Sequence, residues 1–167
     1  MVKRLLLAVI FLSSTAHVLH AQTYNMANGS SVTTCAGTFY DSGGSGGNYG
    51  NNANMTMTFC SATAGQCVKL TFTAFKTEDG YDLVKIYDGA TTAGALLGTF
   101  SGTTLPPAVT ASSGCMTIQF TSDATTNYSG WAATVSCTTC PPPIYVMTTG
   151  SISACGGSFY DSGRSEE

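Results

Sequence analysis

Phe75–Gly89 reads FKTEDGYDLVKIYDG. The second half, DLVKIY, has the alternation of a half-buried strand: Val84 and Ile86 on one face, Lys85 and Tyr87 on the other. TEDG precedes it and DGATTAGA follows, and both are turn clusters. The stretch thus reads as turn, strand, turn, with Glu78, Asp79, Asp82 and Asp88 crowded into eleven residues. It raises two questions: what fold the strand belongs to, and what the acids are for.

Outward from this stretch the same pattern recurs. In VKLTFTAF, Val68, Leu70, Phe72 and Ala74 alternate with Lys69, Thr71 and Thr73. In MTIQF, Met116, Ile118 and Phe120 alternate with Thr117 and Gln119, and in WAATVSC Trp131, Ala133 and Val135 take the inner phase. MTMTF is strand-like too. Period two with β-branched and aromatic residues marks strands. DSGGSGG, YGNN, SGTTLPP, ASSG and SDATTNYSG separate them. No helical stripe interrupts the series after residue 21. Many short strands joined by Gly-rich turns predict an all-β, antiparallel two-sheet β-sandwich.

The first 21 residues read differently. Lys3 and Arg4 precede the apolar run LLLAVIFL, and small residues follow up to Ala16 or Ala21. This is a secretory signal peptide, too short to span a membrane stably; cleavage after either alanine is open. No second apolar run approaches spanning length. His17 and His20 are the only histidines, so residues 22–167 have none. That excludes a Ser-His-Asp triad, a Cys-His pair and His-ligated zinc. Removing Lys3 and Arg4 leaves four basic residues against nine acidic ones, a net charge of −5. Nucleic acid, which needs clustered positive charge, is not an expected partner.

The chain also repeats itself. YVMTTGSISACGGSFYDSG, from Tyr145, copies YNMANGSSVTTCAGTFYDSG, from Tyr24, with one residue deleted. CPPP stands between, and a proline run is a stiff spacer. The organisation expected is a signal peptide at 1–21, a domain at 22–140, a Pro-rich linker at 141–144, and the truncated start of a second repeat at 145–167. The 119 residues from Gln22 to Cys140 suffice to bury roughly two-thirds of the unfolded surface. Residues 144–167 are too few for a core of their own and are expected to be poorly ordered or a single loosely held strand. Seven cysteines in an exported chain read as a disulfide framework plus one. Cys155 lies in the repeated phrase, which leaves Cys35, Cys60, Cys67, Cys115, Cys137 and Cys140 as an even set.

The ordered set of motifs resembles the CUB domain family. It comprises Phe75 and Glu78; Tyr81, Asp82, Val84, Ile86, Asp88 and Gly89; Gly98, Phe100 and Gly102; Phe120, Ser122 and Asp123; and Gly130, Trp131 and Ala133. The likeness covers about 110 residues, and the Gly/Ser/Thr-rich loops are similar to CUB domains of secreted bacterial multidomain proteins. It implies a jelly-roll sandwich that binds proteins or glycans outside cells. It also implies a first disulfide between Cys35 and Cys60, which would place the partner of Cys155 about 25 residues beyond it. Cys67, Cys115, Cys137 and Cys140 then allow three pairings. Cys115–Cys137 with Cys67–Cys140 is preferred because SGC and VSC open and close the last two strands. Cys115 is out of phase with Met116, so a bulge would be needed, and Cys67–Cys137 stays open. The cysteines that animal members carry before Tyr-Asp and inside Phe-Cys-Gly are missing here.

In calcium-binding members the ligands match Glu78, Asp82 and Asp123. Calcium takes six to eight oxygens, several from carboxylates, so the acidic cluster suits that chemistry. Asn127 and carbonyls near Ala124 could add neutral ligands, and Tyr40 or Tyr49 a hydroxyl that orients the glutamate. Solvated turn carboxylates are the plainer alternative, favoured by a loop shorter than in those members. Asp88 is assigned to its Asp-Gly turn. Trp131 is expected in the core, and FYDSGG as an aromatic anchor beside a Gly turn. Asn28, Asn54 and Asn127 each open a glycosylation sequon. Catalysis would have to use a carboxylate pair such as Asp82 and Asp123, and no aromatic subsites accompany them. The reading is therefore a non-catalytic extracellular binding or adhesion module for protein or glycan, with calcium as its ion. A structural spacer, or an accessory domain of a secreted hydrolase, is the rival.

Overall fold

The computed structural model describes residues 22–142, 144–146 and 158–160. The expected signal peptide at 1–21, Cys155 and most of residues 145–167, read as the start of a second repeat, lie outside them. Among the described residues there is no helix.

Ten strands form two five-stranded sheets. The first contains β1 (Thr23–Asn25), β3 (Ala36–Tyr40), β10 (Gly130–Thr139), β5 (Gln66–Lys76) and β8 (Val109–Thr110), side by side in that order. The second contains β2 (Ser30–Thr33), β4 (Asn54–Cys60), β9 (Cys115–Thr121), β6 (Leu83–Asp88) and β7 (Leu96–Phe100). This is the jelly-roll-like sandwich the motifs imply. The purely antiparallel expectation needs one correction, because β1 pairs with β3, and β2 with β4, in parallel. β1 and β3 share a sheet while β2 between them belongs to the other. The chain crosses the sandwich twice and re-enters in its original direction, as a parallel pair requires.

The inner phases make the core. Met116, Ile118 and Phe120 of β9 face Trp131, Ala133 and Val135 of β10, all buried. β5 follows its expected phase from Val68 to Phe72. A bulge opposite Ala132–Ala133 then shifts it, so that Phe75 turns inward and Ala74 outward. An aromatic chain crosses the interior: Tyr24 to Phe59 (5.5 Å), Phe59 to Phe39 (5.0 Å), Phe39 to Trp131 (5.7 Å), Trp131 to Phe120 (5.1 Å) and Phe120 to Tyr49 (4.9 Å). It ends at the loop end that carries the acids.

Strand register decides the disulfides. Cys60 lies directly opposite Cys115 across β4 and β9, and these two are bonded. Ser136 pairs with Ala36, which brings Cys137 beside Cys35, and these are bonded too. The expected Cys35–Cys60 and Cys115–Cys137 links are therefore not formed, and each cysteine joins a neighbouring strand of its own sheet instead. Cys67–Cys140, the third bond, is as expected and fixes the end of β10 to the start of β5.

Two further strands, β11 (Ile144–Val146) and β12 (Ser158–Tyr160), pair in parallel, with Tyr145 opposite Phe159. This is the register of β1 on β3, where Tyr24 lies opposite Phe39. Tyr145 and Phe159 are one residue closer in sequence than Tyr24 and Phe39, yet they pair in the same register. Residues 144–167 were expected to be poorly ordered or a single loosely held strand; the backbone of the six described ones forms a pair.

Candidate metal site

The ends of β3, β5, β7 and β9 and the starts of β4, β6 and β10 meet at one end of the sandwich. The loop from Thr77 to Asp82 is held there by Thr77, which is buried. Its N–H donates to the Gly102 carbonyl (2.8 Å), and its hydroxyl donates to the Asp82 carbonyl (2.9 Å) while accepting from Gly102 N–H (3.1 Å). Asp82 N–H closes the turn on the Glu78 carbonyl (3.1 Å), and Gly80 supplies the positive φ of 77° that so short a turn needs. The brevity of the loop thus does not pull its acids apart.

Glu78, Asp82 and Asp123 converge, each offering a carboxylate oxygen within 4.8 Å of the others. Asp82 is fully buried. Its Oδ2 accepts from the Tyr49 hydroxyl at 2.5 Å, and its Oδ1 from Asp123 N–H at 3.0 Å. The Tyr49 hydroxyl also accepts from Glu78 N–H at 3.1 Å. One phenol at the end of the aromatic chain therefore fixes both the backbone of Glu78 and the carboxylate of Asp82. Burial, with Asp82 as hydrogen-bond acceptor, pushes the phenol well above its ordinary pKa, so it stays a donor. Tyr40, the other tyrosine considered, lies on β3 opposite Asn25 and Ala132, away from this contact.

Asp123 accepts from Thr125 N–H (2.9 Å), and its carbonyl accepts from Asn52 N–H (2.6 Å). Asn127 is taken up nearby: Asn48 donates to its Oδ1 (3.0 Å), and its own amide donates to Asn51 (3.1 Å). Asn51 in turn donates to the Ala124 carbonyl (3.1 Å). The two neutral ligands expected from this loop are thus engaged in binding it to the loop after β3.

Glu78 supplies the decisive detail. Its Oε2 is buried and has no hydrogen-bond partner. A buried carboxylate oxygen without a donor is costly. Burial raises the Glu78 pKa, and the charges of Asp123 and Asp82 add to it. Three carboxylates with unfilled lone pairs suit a hard, oxygen-seeking cation, and the donor set lacks the nitrogen and sulfur that would favour zinc. The residues present fit calcium.

Two other acids behave differently. Asp41, of the repeated FYDSGG phrase, is fully buried and held above the ordinary carboxylate range by burial. It accepts from Gly43 N–H (2.7 Å) and Trp131 N–H (3.2 Å). A side chain at Gly130, whose φ is 63°, would collide with its carboxylate. Asp88, at the far end of β6, accepts from the N–H and hydroxyl groups of both Ser112 and Ser113. Both acids tie loops together. Residue type and spacing marked the three carboxylates; nothing in the sequence marked Thr77.

A CUB domain profile matches residues 29–135. Pig cubilin is 37% identical over 97 residues, covering 54% of this chain and 3% of cubilin. Rat multiple epidermal growth factor-like domains protein 8 is 37% identical over 95 residues, 57% of this chain and 3% of that protein. The chain thus spans only a few hundredths of the length of these relatives. Among solved structures, the MASP-1 CUB2 domain bound to Ca2+ superimposes with a TM-score of 0.55 at 24% identity, over 66% of this chain and 99% of that one. This last likeness shows the fold.

Proposed function

The chain belongs to the CUB domain family, and on that premise we propose that it is a non-catalytic, secreted recognition module whose binding loops are ordered by calcium. The observation that carries this is the buried, partnerless Oε2 of Glu78 beside Asp82 and Asp123. Glu78, Asp82 and Asp123 would hold the ion, with Tyr49 keeping Glu78 and Asp82 in place. The ion supplies charge that cancels three-way repulsion and ties the β5–β6 and β9–β10 loops together. The MASP-1 CUB2 structure, which carries Ca2+, supports the reading by analogy.

The partner is an extracellular protein docking at this loop end. Tyr81 (66% exposed) stands in the Glu78–Asp82 loop, and Leu105 (52% exposed) follows the Gly102 that Thr77 grips. The matching registers of β1 on β3 and β11 on β12 support a second copy of the domain beginning after Pro143. If that copy pairs its cysteines as this one does, the partner of Cys155 lies about 100 residues on, not 25, by the Cys35–Cys137 separation. The bacterial likeness rests on loop composition alone.

The test is thermal melting from EDTA to several millimolar calcium, since extracellular calcium sites often bind at ~0.1–1 mM. At one hundred times the dissociation constant the gain is about 2.7 kcal/mol, on the order of 10 °C for a domain of this size. Magnesium substitutes poorly, because it demands a tighter octahedron. Asp123→Asn should fold and lose the shift. Equal melting of both proteins across the titration would leave a spacer with a solvated acidic turn.

A further inference from the structure

The outer face of the second sheet carries a cavity of about 300 Å³, with none of Glu78, Asp82 and Asp123 in its lining. It lies between the turn at Gly29–Ser31 and the turn at Ala90–Thr92, over Thr56, Thr58 and Thr117. Seven of its nine lining residues bear hydroxyls, and none bears a charge. Ser31, Thr58 and Thr117 are register neighbours on β2, β4 and β9, in the outward phase opposite Met57, Phe59 and Met116.

Both rims are set by the protein itself. Gly29 N–H donates to the Thr56 carbonyl (2.8 Å), and Asn28 Oδ1 accepts from Thr56 N–H (3.0 Å). On the other side Gly89 N–H donates to the Cys115 carbonyl (2.9 Å), and Thr91 Oγ1 accepts from Ala93 N–H (3.3 Å). A ligand meets a formed cavity and does not have to order it.

The floor has a polarity. Thr117 is 2% exposed and donates its hydroxyl proton to the Gly89 carbonyl (2.8 Å). Thr58, 9% exposed, therefore directs its one proton to Thr117 Oγ1 (2.9 Å) or the Ala90 carbonyl (3.4 Å). A hydroxyl has one proton and two lone pairs. With the Thr117 proton on the Gly89 carbonyl, no other described group donates to Thr58 Oγ1, so the hydroxyl of a nine-tenths-buried residue offers its lone pairs at the base of the cavity. Its occupant must donate there. Without a carboxylate or a cation in the lining it has no reason to be charged, and without a large apolar side chain it has no reason to be greasy.

We propose that this cavity is a subsite for a neutral saccharide, a pyranose unit whose hydroxyl donates to Thr58 Oγ1 while others exchange hydrogen bonds with the rim hydroxyls of Ser31, Thr56 and Thr92. It is separate from the acidic loop end and does not depend on calcium. Each protein–sugar hydrogen bond replaces one to water, so the net gain is small and affinity is on the order of 1 mM.

The experiment is an amide NMR titration of the secreted protein with neutral chito-, malto-, cello- and xylo-oligosaccharides up to about 50 mM, run in EDTA and again in calcium. At least one series should shift amides at 29–31, 56–58, 90–92 and 117, equally in both conditions. Thr58→Val, which keeps the shape and removes the acceptor, should weaken binding at least tenfold with the reference spectrum otherwise retained. Thr56→Trp fills the cavity from its exposed rim and should abolish binding, which keeps the test decisive if Thr58→Val fails to fold. Silence from all four series, shifts elsewhere, or unchanged affinity in either folded variant would overturn the proposal. Binding that appears only with calcium would overturn it too, and would point to the acidic end.

Discussion

Asp41 and Asp82 are both fully buried carboxylates at the same end of the sandwich, yet they sit in opposite kinds of surroundings. Asp41 takes one backbone N–H on each oxygen and has no other carboxylate among its hydrogen-bond partners. Asp82 also has both oxygens occupied, by Tyr49 and by Asp123 N–H, but two more carboxylates press against it and one of their oxygens is buried without a donor. The difference teaches that burial of an acid does not make a site. Acceptor capacity left unfilled among like charges is what would suit a cation, because a proton or a positive ion must relieve the repulsion.

The largest effect expected tests the first half of this comparison. Asp41→Ala leaves the N–H groups of Gly43 and Trp131 without their acceptor at the point where β10 starts. Each such loss costs roughly 1–3 kcal/mol, so about 3 kcal/mol is expected in all, a fall in melting temperature on the order of 10 °C. The loss should be the same in EDTA and in calcium. A loss that calcium repairs would mean that Asp41 belongs to the ion site and that the two acids are not of different kinds.

Next in size is Tyr49→Phe, which probes the second half. It removes the hydroxyl shared by Asp82 Oδ2 and Glu78 N–H and keeps the ring packed edge-to-face on Phe120. Groups that orient metal ligands typically contribute 10–100-fold to affinity. Calcium affinity should fall at least tenfold by calorimetry or by the midpoint of the melting titration. Unchanged affinity would show that the carboxylates hold their own positions.

Much of this was legible in the sequence, and the remainder has physical reasons for hiding. Alternation located the strands from Val68 to Val135, because each buries one face. The bulge after Phe72 was invisible, since Ala74 and Phe75 are both apolar and either phase reads well. Glu78, Asp82 and Asp123 stood out by residue type and position. Tyr49 against Tyr40 did not, because Tyr40 ends β3 while Tyr49 lies in the loop after it, and only the loop path brings one hydroxyl to Asp82. The cysteine pairs were decided by strand order, which no local pattern carries: Cys60 meets Cys115 only because β4 lies beside β9. Asp41 drew notice by recurring in both copies, and its role is the turn and the start of β10.

A smaller effect lies in pH. Asp41 and Glu78 both titrate above the ordinary carboxylate range, chiefly through burial. An acid whose folded pKa is raised binds its proton more tightly in the folded state. Its contribution is therefore full below the unfolded pKa of about 4 and is lost as pH rises through the folded value. In EDTA these two groups should make the melting temperature decline from about pH 4 upward. Calcium needs the ligands deprotonated, so its stabilisation should grow over the same range. The gap between melting curves in EDTA and in about 5 mM calcium should widen with pH, in wild type and in Asp41→Asn alike. Parallel curves would separate the titrating groups from the ion and break the assignment of Glu78.

The smallest effect concerns Asp88, the acid at the other end of β6. Burial alone would raise its pKa, but the hydroxyls and N–H groups of Ser112 and Ser113 outweigh burial and hold it below the ordinary range. The sign is thus opposite to that of Asp41: its stabilisation is present above the unfolded pKa and lost as pH falls through the folded one. Asp88→Asn keeps one carbonyl oxygen but turns an amide donor toward groups that are themselves donors. Asp88 is only partly buried, so the expected cost is about 1 kcal/mol, a few degrees in melting temperature. Because Asp88 lies a strand's length from Asp82, the calcium-dependent shift should be unchanged in size and midpoint. An altered calcium response in Asp88→Asn would mean that the fold transmits charge along β6, and that acids satisfied by the chain and acids awaiting an ion cannot be treated separately.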